Sequence, residues 1–252
     1  MKRVRLSEIG ESLVPKPGER ALIIGATGSG KTAFACFILQ RLETVPIIIY
    51  DTKEEDKFLA LPGSIIVTNE MQTIEALQND ELDYIVYRPD IRTCADPDAL
   101  DELLMKHYEE YHNTVAYIDE LYQFHRNGRH GPGLQGLLTR GRSRGITTIM
   151  STQRPAFISR FAITESQKFY IFFLLHADDK KRIDDISQEF SDLPEAQQFG
   201  FYYFAPTGSS KVIPKLYPPI KLETKMQNGY IDPQQEENPP EILDPLKSIW
   251  IG

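Results

Sequence analysis

The sequence predicts an α/β fold in which a mainly parallel sheet is sandwiched by helices. Two observations support this prediction. Short apolar, β-branched segments alternate with longer amphipathic segments between residues 20 and 206, and this alternation is typical of parallel strands joined by helices. Some strand-like segments, including 47–49 and 115–118, are apolar at every position, as expected for strands buried on both faces.

Each element follows from its own residues. The predicted strands lie at residues 21–24, 46–51, 64–67, 84–87, 114–119, 147–151, 168–174 and 200–204. The predicted helices lie near residues 31–42, 70–79, 97–111, 132–142 and 178–189. We find no internal repeat, so the chain does not predict a solenoid or a propeller.

Composition excludes several classes of protein. The chain has 252 residues and a formal net charge of −8, with 41% hydrophobic and 25% charged residues. These values are typical of a soluble globular protein, and the acidic excess argues against a protein that coats nucleic acid with its whole surface. Two cysteines, Cys36 and Cys94, do not make a disulfide framework and favour a reducing, cytosolic setting.

Neither a signal peptide nor a membrane span is expected. The basic N-terminus has no apolar segment behind it. The longest apolar stretch, residues 169–175, has seven residues, whereas a membrane span needs about 20.

One motif points to nucleotide binding. It follows the predicted strand 21–24, precedes a predicted helix, and matches the phosphate-binding loop G-x-x-x-x-G-K-[ST] at every fixed position. Its residues are Gly25, Ala26, Thr27, Gly28, Ser29, Gly30, Lys31 and Thr32. Glycines let successive backbone N–H groups face one phosphate, and the helix N-terminus adds positive potential. We expect Lys31 to reach the β- and γ-phosphates of ATP and the Thr32 hydroxyl to bind Mg²⁺.

Two carboxylates follow the buried strand 114–119. Asp119, at the end of that strand, is the candidate to hold Mg²⁺ through water opposite the phosphate loop. Glu120 is the candidate base that polarises a water for attack on the γ-phosphate. A simpler interpretation of Glu120 is an acid that caps the following turn. Adjacent carboxylates favour hydrolysis over transfer to a small acceptor.

A third polar segment follows the predicted strand 147–151. If this strand lies beside the strand of Asp119, Gln153 reaches the γ-phosphate, where its amide can orient water or sense departure of the phosphate. A polar turn before Pro155 is an equally good interpretation of these residues.

Five segments of the chain carry a resemblance to a known group: 25–32, 48–53, 117–120, 141–146 and 151–155. Over about residues 20–206 the sequence resembles the motor domain of the FtsK/HerA superfamily, and its small size resembles the genome-packaging ATPases of membrane-containing icosahedral viruses. The resemblance implies a RecA-like (ASCE) P-loop NTPase fold, a ring of six subunits, and ATP-driven translocation of double-stranded DNA.

A basic segment supports contact with phosphates. Residues 121–164 contain seven arginines and no acidic residue, so the rest of the chain carries 21 basic and 36 acidic side chains, a net −15. A basic zone on an acidic body is typical of a surface that contacts phosphates. The Gly-rich segment 125–133 predicts a loop, and we expect Arg126 and Arg129 to face the ring channel and touch DNA phosphates. An ordinary flexible loop with exposed charges is the alternative.

The remaining arginines are candidates for a finger that completes the ATP site of a neighbouring subunit. Arg142 and Arg144 are the first candidates and Arg160 is the next. Relatives in the superfamily place such an arginine just before the strand that follows the segment 152–155, and Lys168 stands there instead. Lysine lacks the planar fork of arginine. A structural ion pair is the alternative for each of these arginines.

Two histidines carry no catalytic prediction. His107 lies on the predicted helix 97–111, and His112 follows directly after that helix. The two are five residues apart and lack the further ligands that a zinc site needs. We expect both to be exposed.

Three segments are predicted: a lead-in at 1–19, an ATPase motor domain at 20–213 and a tail at 214–252. The tail has seven prolines and ends in an apolar tip around Trp250, which favours an extended segment. The tip would dock on a neighbouring subunit, a capsid vertex, a membrane protein or its own domain.

The leading hypothesis is an ATP-hydrolysing motor that packages a double-stranded DNA viral genome into a preformed capsid, in the host cytoplasm or at the virion vertex. The alternatives are a cytoplasmic HerA-like or plasmid-transfer DNA motor, and a nucleotide-gated assembly factor that does not translocate DNA.

Overall fold

The computed structural model describes residues 13–42, 45–79, 83–184, 187, 190–206 and 215–220. Within them, the strands are β1 (Arg20–Ile24), β2 (Ile47–Tyr50), β3 (Ser64–Val67), β4 (Tyr84–Tyr87), β5 (Val115–Ile118), β6 (His125–Arg126), β7 (Arg129–His130), β8 (Thr147–Thr152), β9 (Lys168–Ile171), β10 (Phe201–Phe204) and β11 (Lys215–Tyr217).

The α-helices of the described residues are α1 (Lys31–Leu39), α2 (Asp56–Leu59), α3 (Glu70–Leu77), α4 (Ile91–Cys94), α5 (Pro97–Glu110), α6 (Pro132–Arg140), α7 (Arg160–Thr164) and α8 (Ala177–Asp184). Short 3₁₀ turns cover Leu121–Phe124, Gly141–Arg144, Pro155–Phe157 and Phe190–Asp192.

Nine strands form one sheet in the order β11-β10-β9-β1-β8-β5-β2-β4-β3. The seven strands from β9 to β3 in that order pair in parallel, whereas β10 runs antiparallel to both β9 and β11. All parallel strands therefore end at one edge, called here the carboxyl edge. The prediction of a mainly parallel α/β sheet is confirmed.

The core lies on both faces of the sheet because side chains alternate along each strand. In β1, Leu22 and Ile24 pack on one face with residues of α5 and α6. Ala21 and Ile23 pack on the other face with α1, which contributes Phe34 and other apolar residues. Burial on both faces explains why polar and apolar residues do not alternate along the central strands.

Helices α5 and α6 are locked together by one buried carboxylate. Asp101 of α5 accepts hydrogen bonds from the backbone N–H groups of Gly133 (2.7 Å) and Leu134 (2.9 Å) in the first turn of α6. It thereby satisfies N–H groups that lack a partner within the helix. A Cβ at Gly133 would come within 2.2 Å of the Asp101 carbonyl oxygen, so only glycine permits this contact.

Three sequence predictions differ from the structure. The segment 125–133, predicted as a loop, begins with the β6–β7 hairpin. The predicted strand 168–174 ends at Ile171, after which the Phe173 carbonyl accepts the N–H of Ala26 (2.8 Å) and supports the phosphate-binding loop. Strand β11 falls in the range assigned to the tail, and the compact unit ends at Ile220. The Trp250 tip lies outside the described residues.

Candidate active site

The phosphate-binding loop joins β1 to α1 at the carboxyl edge. Gly28 (φ 75°) and Gly30 (φ 103°) have left-handed backbone conformations, which favour glycine. A Cβ at Gly25 would lie 2.6 Å from the Cβ of Phe172, so this glycine is required by space. The glycines of the motif are therefore explained by backbone conformation and by close packing.

Lys31 lies folded against this loop. Its side chain is buried, and Nζ donates a hydrogen bond to the Ala26 carbonyl oxygen at 3.1 Å. Burial lowers the pKa of the Lys31 ammonium, an effect that the nearby Glu120 carboxylate opposes. Among the described residues, the Ser29 hydroxyl oxygen is buried and has no hydrogen-bond partner. The loop thus holds a cation and an unsatisfied polar atom where the motif predicts phosphate.

Asp119 follows β5 directly and is buried. One carboxylate oxygen, Oδ1, accepts hydrogen bonds from the Ser151 hydroxyl (2.7 Å) and the Tyr117 hydroxyl (3.2 Å). Burial raises the pKa of Asp119 to about 6, against the opposing effect of the Ser151 hydrogen bond. The hydroxyls fix the direction of a carboxylate that the strand places at the carboxyl edge.

Glu120 has a left-handed backbone conformation (φ 53°, ψ 59°), which costs a residue with a side chain about 1 kcal/mol or more. Its side chain is 2% exposed. Oε1 accepts hydrogen bonds from Gln153 Nε2 (2.6 Å) and from Lys53 Nζ (2.5 Å), whereas Oε2 is buried without a partner in the described part of the chain. Such strain in a buried polar residue is typical of functional sites.

Gln153 connects Glu120 to the phosphate-binding loop. It follows β8, which lies between β1 and β5 in the sheet. While its amide nitrogen donates to Glu120, its amide oxygen accepts the hydroxyl of Thr27. The strand of Gln153 does lie beside the strand of Asp119, and the structure brings together Thr27, Gln153 and Glu120.

Sequence reasoning assigned no role to Lys53, which follows β2 and forms an ion pair with Glu120. The loop that carries it is anchored by Asp51, a buried carboxylate that pairs with Arg88 Nε at 3.0 Å. The signal that could have found it is the polar segment 51–53 directly after a buried strand. This segment must reach the same edge as Asp119 because β2 and β5 are parallel neighbours.

The predicted finger arginines lie apart from this site. Arg142 and Arg144 are in the 3₁₀ turn before β8, at the sheet edge opposite the phosphate-binding loop. The six residues of β8 separate the two edges by about 20 Å, which exceeds the reach of an arginine. Arg144 donates to the Glu109 carbonyl oxygen (2.9 Å) and covers the Tyr108 ring. Arg160 begins α7, in the connection between β8 and β9.

The predicted DNA-contact residues flank a tight turn. Asn127 (φ 52°) and Gly128 (φ 73°) form the two-residue connection of the β6–β7 hairpin. Asn-Gly is a strong hairpin signal, so the sequence could have predicted this turn. Arg126 is 56% exposed and pairs with Asp96 and Asp98 at 2.8 Å each. Arg129 is also exposed.

The described residues contain no cluster of three or more His, Cys, Asp or Glu side chains that could hold a metal ion. The oxygen donors that the motifs assign to a metal are the Thr32 hydroxyl and the Asp119 carboxylate. One or two oxygen ligands suit Mg²⁺, which is bound mainly by nucleotide phosphates and water. The donor set therefore fits magnesium carried with a nucleotide. In the same part of the chain, no helix is long and apolar enough to cross a membrane.

The fold and the loop define the chain as a P-loop NTPase. The chain is similar to the DNA packaging ATPase P9 of Enterobacteria phage PRD1, with 28% identity over 176 residues, which are 68% of this chain and 70% of the relative. No protein-family model matches the chain.

Solved structures give the same fold. The genome packaging NTPase B204 of Sulfolobus turreted icosahedral virus 2, in complex with ATP-gammaS, has a TM-score of 0.64 at 20% identity and covers 82% of this chain and 100% of its own. The DNA-packaging ATPase B204 of Sulfolobus Turreted Icosahedral Virus has a TM-score of 0.61 at 22% identity, with the same coverage. The predicted resemblance to viral genome-packaging ATPases is supported by the phage relative, and these solved structures show the same fold. The wider resemblance to the FtsK/HerA superfamily stays a prediction.

Proposed function

We propose that this chain is an ATP-hydrolysing motor that packages a double-stranded DNA genome into a preformed viral capsid. The observation that carries the proposal is the hydrogen-bonded network that joins Thr27 of the phosphate-binding loop, through Gln153, to Glu120. The similarity to packaging ATPases of two kinds of virus supports genome packaging as the function of this motor.

ATP is bound by the phosphate-binding loop. The backbone N–H groups of residues 25–30 surround the phosphates, and Lys31 exchanges its bond to Ala26 for phosphate oxygens. Thr32 and Asp119 are the residues that would hold Mg²⁺ carried with the nucleotide. When bound, the ion neutralises charge that develops on the phosphates.

Glu120 acts as the base for hydrolysis. Its Oε2 atom is buried without a partner among the described residues, so this oxygen is available to accept a proton from water. Gln153 touches both Glu120 and the loop. Its second amide N–H can donate to the γ-phosphate, so this residue would couple the nucleotide to Glu120. The ordinary alternative, an acid that caps a turn, is disfavoured because the Glu120 side chain makes no capping hydrogen bond to the 3₁₀ turn that follows.

We propose a ring, with six subunits, in which an arginine acts on the neighbour's nucleotide. Arg142 and Arg144 lie about a full strand length from the loop of their own chain, so they act in trans or not at all. Arg144 already has partners in its own chain, which favours Arg142, whose side chain is exposed. Arg160 is the further candidate.

DNA contact is assigned to the β6–β7 hairpin. Its arginines are exposed, and exposed ion pairs such as Arg126 with Asp96 are worth at most about 1 kcal/mol. DNA phosphates can therefore replace the aspartates at little cost. These contacts position DNA without reading its sequence.

The motor works in the host cytoplasm or at the virion vertex. The tail with Trp250, beyond the described residues, is proposed to dock on a capsid vertex or a membrane protein.

The test measures ATP hydrolysis with and without duplex DNA. We expect stimulation by duplex DNA, and we expect Arg126→Ala combined with Arg129→Ala to lower the slope of log affinity against log salt by about 2. Arg92→Ala, an exposed arginine of α4, is the matched control for charge. If the chain forms stable oligomers whose rate of ATP hydrolysis does not change when duplex DNA is added, the proposed motor function is wrong. That result would favour an assembly factor that does not translocate DNA.

A further inference from the structure

Lys53 lies where two loops meet at the carboxyl edge. Tyr50 ends β2 and accepts the N–H of Asp119 at its carbonyl oxygen (3.1 Å). The Thr52 hydroxyl then donates to the Asp119 carbonyl oxygen (3.5 Å). The loop after β2 is therefore tied to the same peptide that leads into Glu120, and a shift of one loop would move the other.

The backbone of Lys53 is itself held in place. Asp51 Oδ1 accepts the N–H groups of Lys53 (3.3 Å) and Glu55 (3.0 Å), and Oδ2 accepts from Arg88. Asp51 is 1% exposed, so this anchor is shielded from water. A side chain on an anchored loop can direct its partner more accurately than one on a free surface.

The contact between Lys53 and Glu120 uses only one carboxylate oxygen. Both Lys53 Nζ (2.5 Å) and Gln153 Nε2 (2.6 Å) bond to Oε1. Two donors on one oxygen restrict rotation of the carboxylate and leave Oε2 buried and without a partner in the described part of the chain. A pair that served stability alone would be expected to satisfy both oxygens, because an unpaired buried oxygen costs free energy.

We infer that Lys53 is a positioning residue for hydrolysis, which orients Glu120 so that Oε2 faces the attacking water. This inference rests on the proposed function, since it assigns Lys53 an effect through the proposed base. The Lys53 side chain is 28% exposed, so its ammonium keeps the bond to Glu120 while remaining partly open to solvent.

The test compares Lys53→Met and Lys53→Arg with the full-length parent. We expect Lys53→Met to lower kcat about tenfold to a hundredfold while affinity for a fluorescent ATP analogue changes by less than about threefold. Lys53→Arg should retain more activity because it restores a donor. Lys106→Met is the matched control, since Lys106 forms a pair of similar length with Glu70 (2.6 Å) at a partly exposed position away from the site.

Three outcomes would overturn the inference. An unchanged kcat would make the pair purely structural. A loss of nucleotide affinity as large as the loss of kcat/KM would make Lys53 a phosphate ligand. An increase in kcat would make Lys53 a restraint on Glu120 rather than a guide.

A double variant separates this inference from the proposed function. If Lys53 acts through Glu120, adding Lys53→Met to Glu120→Gln lowers single-turnover hydrolysis by less than about twofold further. Full activity in Glu120→Gln alone would overturn the base assignment of the proposed function. An inactive Glu120→Gln together with a fully active Lys53→Met would overturn only the present inference.

Discussion

Two buried polar clusters differ in how completely their atoms are paired. The helix cluster joins His107 of α5 to Tyr50 (3.0 Å) and Thr114 (2.9 Å), so both ring nitrogens have partners. The site cluster, made of Lys53, Glu120 and Gln153, leaves Glu120 Oε2 without one among the described residues. Buried polar atoms are normally paired, so the incomplete cluster is where we expect a ligand and the complete one is expected to stabilise the fold.

The strongest test of this difference is Glu120→Gln. We expect kcat to fall about 10²- to 10⁴-fold because the base is lost, while ATP binding and the unfolding midpoint stay near the parent values. Steady-state hydrolysis, nucleotide binding and thermal unfolding measure these quantities. Glu165→Gln, which removes a carboxylate near Arg20 at the opposite edge, is the control. Undiminished hydrolysis in Glu120→Gln contradicts the assignment.

The converse test is His107→Phe in the helix cluster. It removes the imidazole partner of two buried hydroxyls, each worth about 1–3 kcal/mol of stability, so we expect the free energy of unfolding to fall by about 2–6 kcal/mol. We expect kcat per folded protein to be unchanged. Urea unfolding and active-site titration measure the two effects, with His112→Phe at an exposed position as control. A large loss of kcat in folded His107→Phe protein would contradict the claim that the helix cluster only stabilises the fold.

Low pH is expected to destabilise the fold through two buried histidines. Burial lowers the pKa of His107 to about 3 and that of His125 to about 4, from 6.5. As the pH falls, these histidines are protonated in the unfolded chain before they are protonated in the folded one. The free energy of unfolding therefore has its full value above pH 6.5 and falls as the pH drops towards the folded-state pKa values. At about pH 5 each histidine should cost about 2 kcal/mol.

Urea unfolding at several pH values measures this loss. His107→Phe should remove about half of the dependence on pH that the two histidines produce between pH 6.5 and about 4. Equal slopes for parent and variant would show that His107 does not contribute.

The smallest expected effect on kcat comes from Thr27, which contacts Gln153 of the site cluster. Thr27→Val removes the hydroxyl that donates to Gln153, while Glu120 still fixes the amide. We expect kcat to fall about threefold, the value of one modest hydrogen bond. Steady-state kinetics measure it, against Thr139→Val, whose hydroxyl bonds within α6. A loss as large as that of Glu120→Gln would mean that Thr27 does more than hold Gln153.

Much of the site was predictable because its signals are local. The phosphate-binding loop needs glycines at nearby positions, and Asp119 and Glu120 follow one apolar strand. Lys53 was missed because its role depends on β2 lying beside β5, two strands that are far apart in the chain and pair from Ile47 with Val115 onwards.

The expectation that His107 is exposed was wrong, because its ring is fully buried. Helical periodicity could have placed His107 on the face of Leu100 and Leu104, which are both buried. The burial is tolerated because Tyr50 and Thr114 supply partners from outside the helix, and the helix sequence does not reveal those partners.

By itself the sequence determined the α/β class and the phosphate-binding loop, since strand burial, helix periodicity and glycine conformation act over a few residues. It also determined that the arginines cluster in residues 121–164. Only the tertiary structure decided that Arg142 and Arg144 lie at the edge away from the loop, and that Lys53, Glu120 and Gln153 meet. Strand order places residues that are distant in the chain side by side, and no local pattern encodes that order.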